Sequence, residues 1–224
     1  MALFYPRNAW TAIADWYNLN MKNDLREIYN RFALTYDSNR DLFDVSPLFD
    51  EFYTGLNLPE GNLLDLGCGT GKPFAEWFLE RSWKVTGVDF SPQMLELARR
   101  HTPEMTTICA DMRGVHFEKS TFDAIIAIYS LFHVPREAHL NLFQNWSHWL
   151  RPGGKVLFTY ATREYTGHDE FDGYKEFMGE WLFYSHDSES VLMQKLQQSG
   201  LKIESATKRE IGGETFLWVT AMKG

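Results

Sequence analysis

Three glycines on alternate positions, Gly67, Gly69 and Gly71, close a short apolar run, Leu63–Leu66, that carries one acid, Asp65. A buried strand that turns into a helix through a tight loop reads this way. Glycine there allows positive φ and lets a ligand touch the main chain. A second strand-like run, Lys84–Val88, ends on Asp89, at the distance along the chain where an acid can take the two hydroxyls of a ribose. Such a loop and acid sit at the mouth of the crevice of an open α/β sheet, so an adenosine-type cofactor is expected between Gly67 and Asp89.

Glycine spacing separates the cofactor classes. A dinucleotide site wants G-x-G-x-x-G, whereas this loop reads G-x-G-x-G with Pro73 after Lys72. A phosphate-cradling loop wants G-x-x-x-x-G-K-[ST]; here Leu66 replaces the first glycine and Pro73 the hydroxyl residue. The remaining form, Asp65-Leu66-Gly67-Cys68-Gly69-Thr70-Gly71, resembles motif I of the class I S-adenosylmethionine (AdoMet)-dependent methyltransferases, of the bacterial small-molecule type.

That resemblance covers residues 22–224 and implies a Rossmann-like α/β fold. The expected sheet has seven strands, mostly parallel, the last antiparallel in a C-terminal hairpin, with helices on both faces. It implies AdoMet as cofactor and S-adenosylhomocysteine as product. Asp65, Gly67, Cys68, Gly69 and Gly71 then form the cofactor loop, and Asp89 holds the ribose. Phe90 and Met94 flank the adenine, Asp111 accepts from its amino group, and Ala110 and Met112 supply neighbouring backbone. Tyr36, in a Tyr-Asp segment, covers the methionine end, and Tyr129 stands where the methyl group sits. For several of these a plain structural role competes: Met94 as core, Asp111 as a turn cap, Tyr36 as packing under a loop.

The segment Tyr129-Ser130-Leu131-Phe132-His133 leaves the fourth strand, Phe122–Ile128, at the same place. His133, with an intrinsic pKa near neutrality, is the candidate for taking a proton from the acceptor, against a purely structural histidine. Residues 161–186 interrupt the alternation of strands and helices. By the resemblance they wall the acceptor pocket, with Trp181, Phe183 and Tyr184 beside His133. The domain reading is a helical segment and lid over 1–55, then the methyltransferase core over 56–224. Residues 1–20, rich in aromatics, have indifferent periodicity.

Other elements are expected to position these groups. Helical spacing covers Lys22–Ala33, with Leu34–Asp37 following, then about Phe43–Thr54, Phe74–Arg81, Gln93–Arg100, Arg136–Leu150 and Ser190–Ser199. Strands are expected at Met105–Cys109, Val156–Tyr160, Lys202–Ile211 and Thr215–Met222, the last two antiparallel across Gly212-Gly213.

Composition bounds the partners. The chain has 224 residues and a formal net charge of −8, which speaks against a non-specific grip on nucleic acid. No apolar run reaches the roughly 18 residues of a membrane span, and no secretory signal is evident. Two cysteines, Cys68 and Cys109, make no disulfide framework. No metal-ligand spacing occurs. The expectation is a cytoplasmic enzyme, monomer or homodimer, acting on a small molecule. A non-catalytic AdoMet-binding partner subunit and an NAD-type Rossmann enzyme are the alternatives.

Overall fold

The computed structural model describes residues 25–38 and 46–224; the expectations for residues 1–20 lie outside them. Helix α1 covers 25–38, so Leu34–Asp37 continue the helix. Helix α2 (Ser46–Leu56) leads to β1 (Asn62–Leu66), then α3 (Phe74–Leu79), β2 (Lys84–Asp89), α4 (Pro92–His101), β3 (Thr106–Cys109) and β4 (Phe122–Ala127). Helix α5 (His139–Trp149), β5 (Leu150–Tyr160) and a single turn, α6 (Arg163–Thr166), come next. A hairpin of β6 (Phe171–Phe177) and β7 (Glu180–His186) follows, then α7 (Glu189–Gln198), β8 (Leu201–Ile211) and β9 (Glu214–Lys223).

Seven strands form one sheet in the order β3-β2-β1-β4-β5-β9-β8. Pairing is parallel from β3 to β5, and β9 runs antiparallel to both its neighbours. Strand β4 is apolar except for Asp123 and buried along its whole length, as a central parallel strand must be when both faces are covered. Alternation sends Ile125 and Ala127 into one core with Phe143, Trp146 and Leu192 of α5 and α7, and Ala124, Ile126 and Ile128 into the other with Phe49, Phe78 and Leu95 of α2, α3 and α4.

Helix α4 begins at Ser91, whose hydroxyl accepts from the Met94 N–H at 3.2 Å, with Pro92 in its first turn. Strand β5 starts earlier than its apolar core predicts, because Leu150 already pairs with Phe122, and the ladder resumes at Lys155 opposite Ala124 after a bulge through Gly153, at φ 76°. The larger difference lies in 161–186. Asp172, Gly173, Lys175 and Glu176 hide a strand: β6 alternates, with Phe171, Gly173, Lys175 and Phe177 half-buried and the residues between them exposed. Met178 and Gly179, at φ 52° and 84°, make its two-residue turn into β7. A third, smaller cluster joins this hairpin to α1: Ile28, Phe132, Leu182, Tyr184 and Phe216 pack with Tyr29, Phe32 and Phe177.

Candidate functional site

The ends of β1 and β2 define the floor of the site. Leu66 pairs with Val88, and the Val88 carbonyl then takes both the Gly67 N–H at 2.7 Å and the Cys68 N–H at 3.1 Å, which turns the chain sharply. Asp89 clamps the turn from the other side. Its Oδ2 accepts from the Gly69 N–H at 2.9 Å and its Oδ1 from the Ser91 N–H at 2.8 Å. A carboxylate has about four acceptor sites, so Asp89 keeps capacity for a further donor. Burial lifts the Asp89 carboxyl to about 6 against the pull of these backbone donors.

The three glycines serve different needs. A Cβ on Gly67 would overlap the Ser130 side chain, whose hydroxyl donates to the Leu66 carbonyl at 2.7 Å. A Cβ on Gly71 would overlap Thr102. On Gly69 the nearest neighbour outside the loop is a Tyr36 ring carbon at 4.0 Å. Gly67 and Gly71 are therefore glycines of packing, and Gly69 is the one that leaves room for a ligand. All three have positive φ.

A cavity of ≈ 280 Å³ opens above this floor. It brings together Tyr36, Gly67, Gly69, Asp89, Phe90, Met94, Ala110, Asp111, Met112, Tyr129, His133 and Phe183. Asp65, Cys68 and Gly71 are not on its wall. Cys68 is buried beneath the loop, its sulfur filling the space that a side chain on Gly87 would need. Trp181 is 61% exposed on the hairpin, and Tyr184 is buried, stacked on Phe132 with ring centres 5.0 Å apart. Of the hairpin residues expected in the acceptor pocket, Phe183 alone lines the cavity.

Sequence reasoning missed Leu25, Arg26 and Tyr29 of α1, and Arg113, whereas Ser130, in the segment after β4, lines the cavity as that segment's placement implies. The signal for the first group existed. Leu25, Tyr29, Phe32 and Tyr36 recur at the spacing of one helix face, so a helix offering Tyr36 to the site offers Tyr29 too. Arg113 had no such signal. Its Nη2 reaches Asp111 Oδ2 at 2.7 Å, its Nε reaches Oδ1 at 3.0 Å, and its N–H donates to Oδ1 at 2.9 Å.

His133 is held on both sides. Its Nδ1 lies 2.7 Å from the Phe183 carbonyl, which can only accept, so this nitrogen carries the proton. Nε2 is then the acceptor for the Tyr29 hydroxyl, also at 2.7 Å. Burial lowers the imidazole to about 4, against a raising effect of the Phe183 bond. Tyr129, at φ 53°, is a left-handed non-glycine residue at the end of β4, its N–H donating to Thr159 Oγ1 at 2.6 Å. Strain of this kind collects at sites that aim a side chain.

The donor set suits a cationic adenosine ligand. Asp65 and Asp89 are both buried, and burial, with Asp89 next, raises Asp65 to about 8. Asp65 Oδ2 has no partner. Of the two, Asp89 is on the cavity wall, where its carboxylate favours a positive ligand and repels a diphosphate. Among the described residues no group of three His, Cys, Asp or Glu could hold a metal ion, and no helix is long and apolar enough to cross a membrane.

This fold and loop define the class I AdoMet-dependent methyltransferases. Residues 63–154 match the model of the methyltransferase domain family. One relative is a ubiquinone biosynthesis O-methyltransferase of Alkalilimnicola ehrlichii, 34% identical over 55% of this chain and 52% of its own length; the chain spans about half of that relative. Among solved structures, an S-adenosylmethionine-dependent methyltransferase from Clostridium acetobutylicum superposes with a TM-score of 0.69 at 18% identity, over 88% of this chain and 99% of that one. A 1,6-didemethyltoxoflavin-N1-methyltransferase of Burkholderia thailandensis, bound to 1,6-didemethyltoxoflavin and S-adenosylhomocysteine, covers all of this chain and 92% of its own, with a TM-score of 0.60 at 19% identity. At such identity the likeness to both is one of fold.

Proposed function

We propose that the protein is an AdoMet-dependent methyltransferase acting on a small-molecule acceptor. The observation that carries this reading is the Asp89 carboxylate, fixed across from the one open glycine, Gly69, with acceptor capacity to spare. Asp89 holds the ribose hydroxyls and the Gly69 backbone passes under the methionine part. Phe90, Met94 and the backbone around Ala110 and Met112 enclose the adenine, and Asp111, steadied by Arg113, meets its amino group. Tyr36 and Tyr29 cover the site from α1.

AdoMet supplies a sulfonium methyl that is already activated. The protein's contribution is alignment of the acceptor lone pair behind that carbon, and positioning of this kind carries most of such an acceleration. His133 acts here through Tyr29. Its only unprotonated nitrogen is engaged by the Tyr29 hydroxyl, so it seats α1 over the site; taking a proton from the acceptor would require Tyr29 to leave.

Calorimetric titration with AdoMet, S-adenosylhomocysteine and NAD tests the cofactor assignment. Labelled-methyl transfer into a metabolite extract tests turnover. Micromolar binding of the first two, none of NAD, and a labelled product are expected. Binding of NAD alone overturns the reading, and AdoMet binding with no labelled product in any extract leaves the non-catalytic partner.

A further inference from the structure

Among the described residues five large apolar side chains are exposed, and three of them lie in one hairpin: Tyr174 at 40%, Met178 at 48% and Trp181 at 61%. Strand pairing gathers them. Tyr174 stands opposite Phe183 and Glu176 opposite Trp181, so alternation puts these four side chains on one face of the hairpin. Leu182 and Tyr184 take the other face and fill the third core with Phe132 and Phe216. Tyr174 and Trp181 are diagonal neighbours, close enough for aromatic side chains to meet, and Met178 follows in the turn.

This outer face continues the cleft. Phe183 lines the cavity, and the Tyr174 ring meets the Phe183 ring edge-on, with centres 6.0 Å apart. The Phe183 carbonyl holds His133, which in turn holds Tyr29. Phe183 therefore belongs to the wall made by α1 and the segment after β4, where Leu25, Val134 and Pro135 also line the cavity. The cofactor reading uses none of these four residues. An apolar wall thus leads out of the cleft over Phe183 and Tyr174 to Trp181, about 7 Å further along β7.

Size and charge choose what covers this strip. The three exposed side chains offer on the order of 300 Å², well short of the about 800 Å² per partner that a stable interface between two chains buries. An anionic lipid surface is drawn by Lys and Arg beside the apolar groups. The charged member of this face is instead an exposed acid, Glu176, and Arg31 is paired with Glu180 at 3.0 Å. A narrow apolar group anchored in the cleft fits both the area and the charge.

We propose that the methyl acceptor carries an apolar tail, which leaves the cleft past Phe183 and lies on Tyr174 and Trp181. The inference rests on the methyltransferase reading above and adds the shape of the acceptor to it. The tail sets affinity along the strip, and the cleft sets which atom meets the methyl group.

Calorimetry on the protein first saturated with S-adenosylhomocysteine tests this with two series of probes, para-alkylphenols and n-alkylamines. Each series runs from propyl to octyl, so that no single head group decides the outcome. Affinity should rise about two- to four-fold per added methylene in at least one series. Trp181→Ser should weaken the octyl member at least ten-fold while leaving the propyl member and S-adenosylhomocysteine unchanged, and Trp181→Phe should restore the octyl affinity. Affinity that ignores chain length overturns the proposal, as does a chain-length dependence indifferent to Trp181→Ser, or no binding in either series. A dimer that Trp181→Ser dissolves in sedimentation overturns it in favour of a second copy of the chain. Capture by phosphatidylcholine vesicles that is lost in the same variant overturns it in favour of a lipid surface. The initial saturation step separates the two readings: failure to bind S-adenosylhomocysteine brings down the methyltransferase assignment itself.

Discussion

The floor of the cleft and its cap are built by different means. On the floor, main-chain groups make the shape: Val88 takes two loop N–H groups, Asp89 takes two more, and Gly67 and Gly71 admit Ser130 and Thr102 where any side chain would collide. The cap is tied by single side-chain bonds. Tyr29 reaches His133, Asn30 accepts from the Ser91 hydroxyl at 2.7 Å, Asp37 meets His101 at 2.9 Å, and Arg31 meets Glu180 on the hairpin at 3.0 Å. A floor of this kind fixes one cofactor, because its geometry survives changes of side chain elsewhere. A cap of this kind can be re-specified one residue at a time, which is what a choice of acceptor needs.

The sharpest way to break this contrast is at Asp89. On the proposed reading Asp89→Ala removes the acceptor of two ribose hydroxyls, and bonds to a charged group contribute about 1.5–3 kcal/mol each. S-adenosylhomocysteine binding should weaken on the order of a hundred-fold or more by calorimetry. An affinity within five-fold of the unmodified protein would remove the floor from the cofactor site. Next in size is a pair of glycine substitutions. Gly67→Ala combines a left-handed backbone, costing about 1–2 kcal/mol, with overlap on Ser130, costing about 1–3 kcal/mol more. Gly179→Ala, at φ 84° with nothing within 4 Å, meets only the first cost. Urea denaturation should show Gly67→Ala the more damaging by at least 1 kcal/mol; equal losses would mean the floor is no tighter than the hairpin tip.

These same differences explain what could be read from the chain. The floor announces itself, because positive φ and close approach demand glycine, and an acid at a strand end has few other uses. The central strands are marked by apolar runs such as Phe122–Ile128. In the cap the signal is weak. Strand β6 reads as loop, since its covered face consists of Phe171, Gly173, Lys175 and Phe177, and its partner, β7, is apolar without alternation. Trp181 suggests pocket lining on its aromatic character alone, yet strand period sends it outward. Contacts between distant segments have no local pattern to betray them.

The two buried floor acids give a smaller effect with a definite sign. Asp65 is raised to about 8 and Asp89 to about 6, above the ordinary aspartate value near 3.9. Between that value and the raised ones, the folded protein holds protons that the unfolded chain has released, so stability falls as pH rises. Buried histidines such as His133 and His139, lowered to about 4, act in the opposite sense up to about pH 7, so the decline from Asp65 should emerge between pH 7 and 8, at no more than about 1.4 kcal/mol per pH unit. Thermal unfolding of the cofactor-free protein should show it, and Asp65→Asn should flatten that stretch. Cofactor affinity should move the other way and rise through about pH 6, because only the ionised Asp89 accepts from both hydroxyls. The same melting-temperature profile from pH 7 to 8 in the unmodified protein and in Asp65→Asn would show that Asp65 ionises normally.

The smallest effect probes the cap at its buried bond. Tyr29→Phe keeps the ring against Phe32 and Phe90 but leaves His133 Nε2 an acceptor with no donor. An unpaired buried acceptor costs about 1–3 kcal/mol, part of which a water entering from the cleft would recover. If His133 only seats α1, hydrogen exchange of the 25–38 amides should quicken and KM for AdoMet rise, with kcat nearly unchanged. If instead the freed nitrogen can take a proton from the acceptor, kcat should increase in the variant and acquire a dependence on a group titrating well below neutrality, since burial holds His133 near 4. The comparison of floor and cap favours the first outcome: a base so reluctant to protonate gains little from exposure, whereas a helix held by single bonds loses much when one is cut.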